Sequence, residues 1–123
     1  MNGAGEHQER YGNLAAQCDE ALQRISELSG RVIMFYGPRS PAAGEFQTLR
    51  LLLGTYRDVA ELEHSFLAAD DSKGFAAKPQ YSASILSRIS DALISAEERI
   101  GDLERYIDSA EQHAEQSQLA RPA

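Results

Sequence analysis

Glu61, Glu63 and His64 come nearest, by type and spacing, to a reactive site in this sequence. Glu61 and His64 form a Glu-x-x-His. On a helix this step points both side chains the same way, as in the di-iron carboxylate bundles. Those sites combine two such motifs with glutamates from neighbouring helices. Here there is one copy, because His113 has Ala110 three residues before it. Glu61 and His64 also fall on the polar side of their helix, facing solvent. No metal and no other cofactor is expected.

Glu63 falls instead in the middle of the apolar arc, among Leu49, Tyr56, Val59 and Leu67. A carboxylate buried there must be paired, hydrogen-bonded or protonated. It reads as a buried polar switch, either a raised-pKa acid or an interface ion pair. The alternatives are an arginine from a neighbouring helix, Arg24 or Arg88, or a carboxylate that escapes to water.

Nucleophilic chemistry lacks its parts. Cys18 lies on an apolar seam, where a thiol acts as a small hydrophobe. No Gly-x-Ser-x-Gly elbow is present, and His7, His64 and His113 lie far apart. Gly37-Pro38-Arg39-Ser40 lacks the downstream Gly-Lys-Ser/Thr of a phosphate loop. An enzyme is not expected. Arg39, bracketed by Pro38 and Pro41, is either a contact residue or a solvated loop charge.

With chemistry set aside, surface for partners remains. The 123 residues carry a net charge of −7, with 42% hydrophobic and 25% charged residues, an ordinary globular balance for one domain. Asp91 to Glu115 holds eight acids against Arg99 and Arg105, so this stretch carries most of the charge. Phosphate neutralisation needs clustered lysine and arginine, so direct nucleic-acid binding is disfavoured. Adhesion to an anionic membrane is disfavoured for the same reason. The longest apolar run is Val32 to Tyr36, far short of the roughly 20 residues needed to cross a bilayer. Met1 to Arg10 lacks a basic start and an apolar stretch, and Cys18 is the lone cysteine. A cytoplasmic protein is expected, in the host cytoplasm if a phage encodes it.

Three helices must position these residues. The last third shows a heptad seam: Ser82, Leu86, Ile89, Leu93, Ala96, Ile100, Leu103, Ile107, Ala110 and Ala114. The first helix carries a similar seam through Tyr11, Leu14, Cys18, Ala21, Ile25 and Leu28. Val32 and Phe35 keep its phase beyond Gly30, so the helix is expected to run through that glycine rather than break into an extended segment. In the second helix, apolar residues span roughly 140°, and Leu51 and Leu62 widen the arc to roughly 200°. Such a helix sits centrally or buries a second face against another chain.

The expected fold is an all-α antiparallel three-helix bundle with coiled-coil-like heptad seams and a long C-terminal helix. A single helical domain covers residues 1–123, with helices near 6–36, 45–69 and 82–116 and mobile ends at 1–5 and 117–123. Gly37 to Gly44 and Asp70 to Gln80 read as connections, and Ser82 or Ser84 as the cap of the third helix. The seam from Ile100 onward is expected to outrun its shorter neighbour.

Two functional readings follow. The first is a non-catalytic helical interaction or assembly protein that self-associates as a homodimer. Its second and third helices would share a surface with Leu51, Leu62, Ile94 and Tyr106. The alternative is a small acidic phage or mobile-element inhibitor, anti-CRISPR-like. It would occlude the basic nucleic-acid-binding surface of a host protein with Glu97, Glu98, Asp102, Glu104 and Asp108.

Overall fold

The computed structural model describes the backbone of residues 3–73 and 79–120, and the side chains of residues 6–67 and 83–116. The chain forms three helices, α1 (Gly3–Tyr36), α2 (Pro41–Lys73) and α3 (Pro79–Ala120). Contacts fix their directions. His64 of α2 meets Gln8 of α1, and Arg57 meets Asp19, so α2 runs against α1. Arg24 of α1 meets Glu104 of α3, and Arg31 meets Glu111, so α3 runs along α1. The result is an up-down-up antiparallel bundle.

α1 runs unbroken through Gly30 and stops at a glycine that can make the stop. Gly37 has φ +89°, a backbone conformation that side chains with a Cβ rarely adopt. Its N–H donates to the Ile33 carbonyl across 2.9 Å and closes the last turn.

α2 begins earlier than the sequence suggests. The density of proline and glycine between Gly37 and Gly44 predicts a loop, yet Pro41 occupies the first helical position. A missing N–H costs nothing there, because the first-turn donors have no helical partner. Ser40 supplies the cap: its Oγ accepts from the Ala43 N–H at 3.2 Å. The connection shrinks to Gly37–Ser40. α3 likewise opens on Pro79 rather than capping at Ser82 or Ser84.

The far ends also extend. α2 continues through Asp70 and Asp71 to Lys73, and α3 spans 42 residues, roughly 63 Å at 1.5 Å per residue. The backbone is helical at residues 3–5 and 117–120, where mobile ends were expected. Residues 1–2 and 121–123 of those ends, and 74–78 of the second connection, lie outside the described residues.

The core is a stack of heptad layers. α1 buries Tyr11, Ala15, Cys18, Ala21, Ile25, Leu28 and Val32. α3 buries every seam residue from Leu86 to Ile107. The expectation that α3 outruns its neighbours from Ile100 is therefore corrected. Ile100, Leu103 and Ile107 pack with Ile25, Leu28, Val32 and Phe46 because α1 extends beside them. Each fully buried large aliphatic contributes roughly 1.5–3 kcal/mol. α2 gives the core a narrower stripe than its 200° arc implies: Phe46, Leu49, Leu53, Ala60 and Leu67 are buried and Tyr56 is half-buried. Among the described residues, no helix is long and apolar enough to cross a membrane.

Candidate functional site

The residues nearest to chemistry are drawn into structure instead. Glu61 pairs with Arg57 one turn away, at 3.0 Å. His64 is half-buried, which corrects its placement on a solvent-facing arc. Its Nδ1 donates to the Gln8 carbonyl at 2.8 Å, and its ring lies close above Gly12, where a Cβ would stand 3.3 Å from Cε1 and Nδ1. The missing side chain at Gly12 lets α2 dock on α1. Glu63 sits on the core stripe between Ala60 and Leu67 and is half-buried rather than fully buried. Arg24, a suggested partner for it, pairs with Glu104 instead. Cys18 is fully buried, and burial, helped by Asp19, pushes its thiol up to about 11. It is a core residue in its protonated form.

Much of the acidic face of α3 is engaged within the molecule. Glu104 pairs with Arg24, Asp108 pairs with Arg31 at 2.6 Å, and Glu111 also pairs with Arg31. Asp102 pairs with Arg105. Hydrogen bonds to Glu111 and Asp108 raise the pKa of Arg31. Glu104, Asp108 and Glu111 dock α3 against α1, whereas the Asp102 pair lies within α3. Among the described residues no ion pair reaches Glu97, Glu98 or Arg39. A further bond clamps α2 to α3: Arg99 grips Glu45 with two nitrogens, one at 2.7 Å, and holds that carboxyl below the usual glutamate range.

Tyr106 stacks on Tyr36 at the turn end of the bundle, with ring centroids 5.7 Å apart and planes 22° from parallel. Desolvation in this stack, and the neighbouring Tyr106 hydroxyl, raise the Tyr36 pKa. Below the rings lies a cavity of about 400 Å³ lined by Pro41, Glu45, Arg99 and Asp102. Its lining residues place it between the start of α2 and α3, at one end of the groove between those helices.

Along that groove α2 exposes a second heptad row. Thr48, Leu52, Thr55, Val59, Leu62 and Phe66 follow one another in steps of four and three. Their row lies about 100° around the helix from the buried stripe, at 3.6 residues per turn. Arg57 and His64 mark the side of α2 that faces α1, and Glu45 marks the side that faces α3. Glu45 stands one heptad before Leu52, so the row begins on the side of α2 that faces α3 and lies away from α1. Leu52 is 41% exposed, Leu62 67% and Phe66 59%, and Leu51 on the row's edge is 70% exposed. Val59 is half-buried.

The two threonines are exposed, and each hydroxyl proton is held by its own helix. Thr48 Oγ1 donates to the Gly44 carbonyl at 3.1 Å, and Thr55 Oγ1 donates to the Leu51 carbonyl at 2.9 Å. With the hydroxyls bonded one turn back, the side chains need no further donor or acceptor. Facing the row across the groove, α3 sets Ile85, Arg88, Ala92, Ser95 and Arg99 in the same alternation. From Thr48 to Phe66 and from Ile85 to Arg99 neither row carries an acid; the same alternation next reaches Glu45 on α2 and Asp102 on α3, and both of these carboxylates are paired with arginines.

The structure gathers Leu51 and Leu62 at this row and sets Tyr106 at the end of the groove. It does not bring Ile94 there. Ile94 is exposed on an outer row of α3 with Glu98, Gly101 and Arg105. The row through Leu52, Val59 and Phe66 leaves a trace in the sequence, in its alternation of four and three. On a helical wheel it merges with the buried stripe into one wide arc, and its threonines look polar.

Fold and site together define the class: a three-helix bundle whose middle helix carries two apolar seams, one buried within the bundle and one uncovered. No family model, no curated protein and no solved structure matches the chain.

Proposed function

We propose that this chain is a non-catalytic helical interaction and assembly protein, that the uncovered row of α2 is its docking face, and that it self-associates. The single observation behind this reading is the row from Thr48 to Phe66. A seam of that period buries its side chains when a further helix lies along it. Two further features support the reading. The row is uncharged within an acidic molecule, and the side chains nearest to catalysis are occupied by structural contacts. The acidic-inhibitor reading has less to draw on, since Asp102, Glu104 and Asp108 are paired with arginines of the same chain.

The test is the size of the protein in an extract of the cells that make it, chemically cross-linked before separation so that a complex that parts on dilution is kept. Tagged wild-type chain should elute well above 13.5 kDa. Leu62→Glu, at an exposed position, should return to the mass of a single bundle. Elution of both at that mass would overturn the proposal.

A further inference from the structure

We infer that the helix seated on this row is α2 of a second copy of the chain, running antiparallel about a two-fold axis midway between Thr55 and Val59. The inference rests on the reading of the row as a docking face and adds which helix of the second copy is seated on it, in which direction and register. A two-fold interface must be complementary to itself. About this axis Leu52 lies opposite the second copy's Leu62, Thr55 opposite its Val59, and Thr48 opposite its Phe66. The largest side chain of the row thus meets one of its small ones, and the two middle-sized leucines meet each other. Facing layers of a packed core are filled by this alternation of large and small. A parallel pairing would set Phe66 on Phe66 and threonine on threonine, which crowds one end and leaves a void at the other.

Charge opposes pairing of two copies least at this row. Two chains of net charge −7 repel, so they meet most readily where acids are absent. The acids of α3 that pair with α1 face away from this groove. One acid does flank the axis. Asp58 lies beside the row on each copy, with Arg57 Nη1 at 3.4 Å from its carboxylate to offset part of the repulsion. Asp58→Asn should therefore tighten the pair.

Area sets the strength. At their observed exposures Leu51, Leu52, Leu62 and Phe66 present on the order of 400 Å² of surface per chain, within the range of large single-chain patches. Two such faces cover on the order of 800 Å². With the threonines, Val59 and the stems of flanking residues, the total approaches the ~1,200 Å² of the smaller stable interfaces. The pair should form at micromolar concentration and part on dilution.

The experiment uses the purified full chain and two single-cysteine additions at exposed positions, Leu52→Cys and Leu62→Cys. Buried Cys18 is left in place, and circular dichroism verifies that helix content is unchanged. Purified wild type should rise from 13.5 kDa towards twice that mass as concentration increases. Mixed under mild oxidation, the two variants should join to each other, while neither joins to itself. In the antiparallel pair identical positions are separated by roughly 15 Å along the seam, at 1.5 Å per residue. Self-joining of Leu52→Cys would show a parallel pair and overturn the inference. A purified chain that stays at 13.5 kDa, or that assembles beyond two copies, would overturn it as well. In the first case a large complex in the extract would leave the docking face standing with a different occupant.

Discussion

The Thr55 hydroxyl donates to the Leu51 carbonyl across 2.9 Å, one turn back along α2. A side chain counted as polar in sequence thereby takes the place of an apolar one in the uncovered row. Thr55→Val keeps the shape and removes the hydroxyl. It should tighten self-association several-fold and move the unfolding free energy of the single bundle by less than about 0.5 kcal/mol. Thr55→Lys should weaken association at least about tenfold. Sedimentation equilibrium measures both changes.

Two glycines of α1 and its end should respond oppositely to alanine. Gly30 is helical and exposed, and an added methyl there would meet nothing within 4 Å, so Gly30→Ala should stabilise by roughly 0.5–1 kcal/mol. Gly37 holds φ +89°, so Gly37→Ala should destabilise by about 1 kcal/mol or more. Urea unfolding of the two variants should shift the midpoint in opposite directions.

The architecture was largely legible because heptads report the helix period directly. The α1 and α3 seams from Tyr11 to Val32 and from Leu86 to Ile107 are buried largely as their spacing implies. Helix ends were less legible. Pro41 and Gly44 carry the composition of a loop, and only the cap at Ser40 turns them into a helix start. The site was half legible. Leu51 and Leu62 stood out as surplus apolar residues, but the direction each helix faces depends on contacts far apart in sequence. His64 on Gln8 and Arg99 on Glu45 set the rotation of α2 and α3, and no local pattern announces either. Ile94 is exposed as its off-seam position implies, but on a different side of the bundle from Leu51 and Leu62. The pairs of α3 acids with Arg24 and Arg31 were likewise invisible before the bundle's register was known.

Cys18 should behave as a core side chain. Its thiol is pushed up to about 11 by burial, so an aromatic disulfide reagent at about pH 8, near the ordinary thiol pKa, should label it only as the bundle opens. Denatured chain should label at once. The unfolded thiol releases its proton at a lower pH than the folded one. This group therefore lowers stability as pH rises from the ordinary thiol value towards about 11. A fast-reacting native thiol would contradict the buried placement.

The Arg99 clamp should act in the acid range. The hydrogen bonds from Arg99 hold the Glu45 carboxyl below its ordinary value. A carboxyl whose pKa falls on folding contributes stability above its unfolded pKa, about 4.3, and loses it as pH falls through the folded value. Glu45→Gln should reduce stability at neutral pH and flatten the loss between there and strong acid. The urea midpoint followed against pH measures this. An acid limb identical to that of wild type would show that the clamp does not contribute.

The uncovered row of α2 is tested most directly by sedimentation velocity of purified wild type and Leu62→Glu at matched high micromolar concentration. Wild type should sediment at about twice 13.5 kDa, and Leu62→Glu at 13.5 kDa with the same helical circular dichroism. Equal masses for the two proteins, whether single or double, would contradict the assignment of this row as the self-association face.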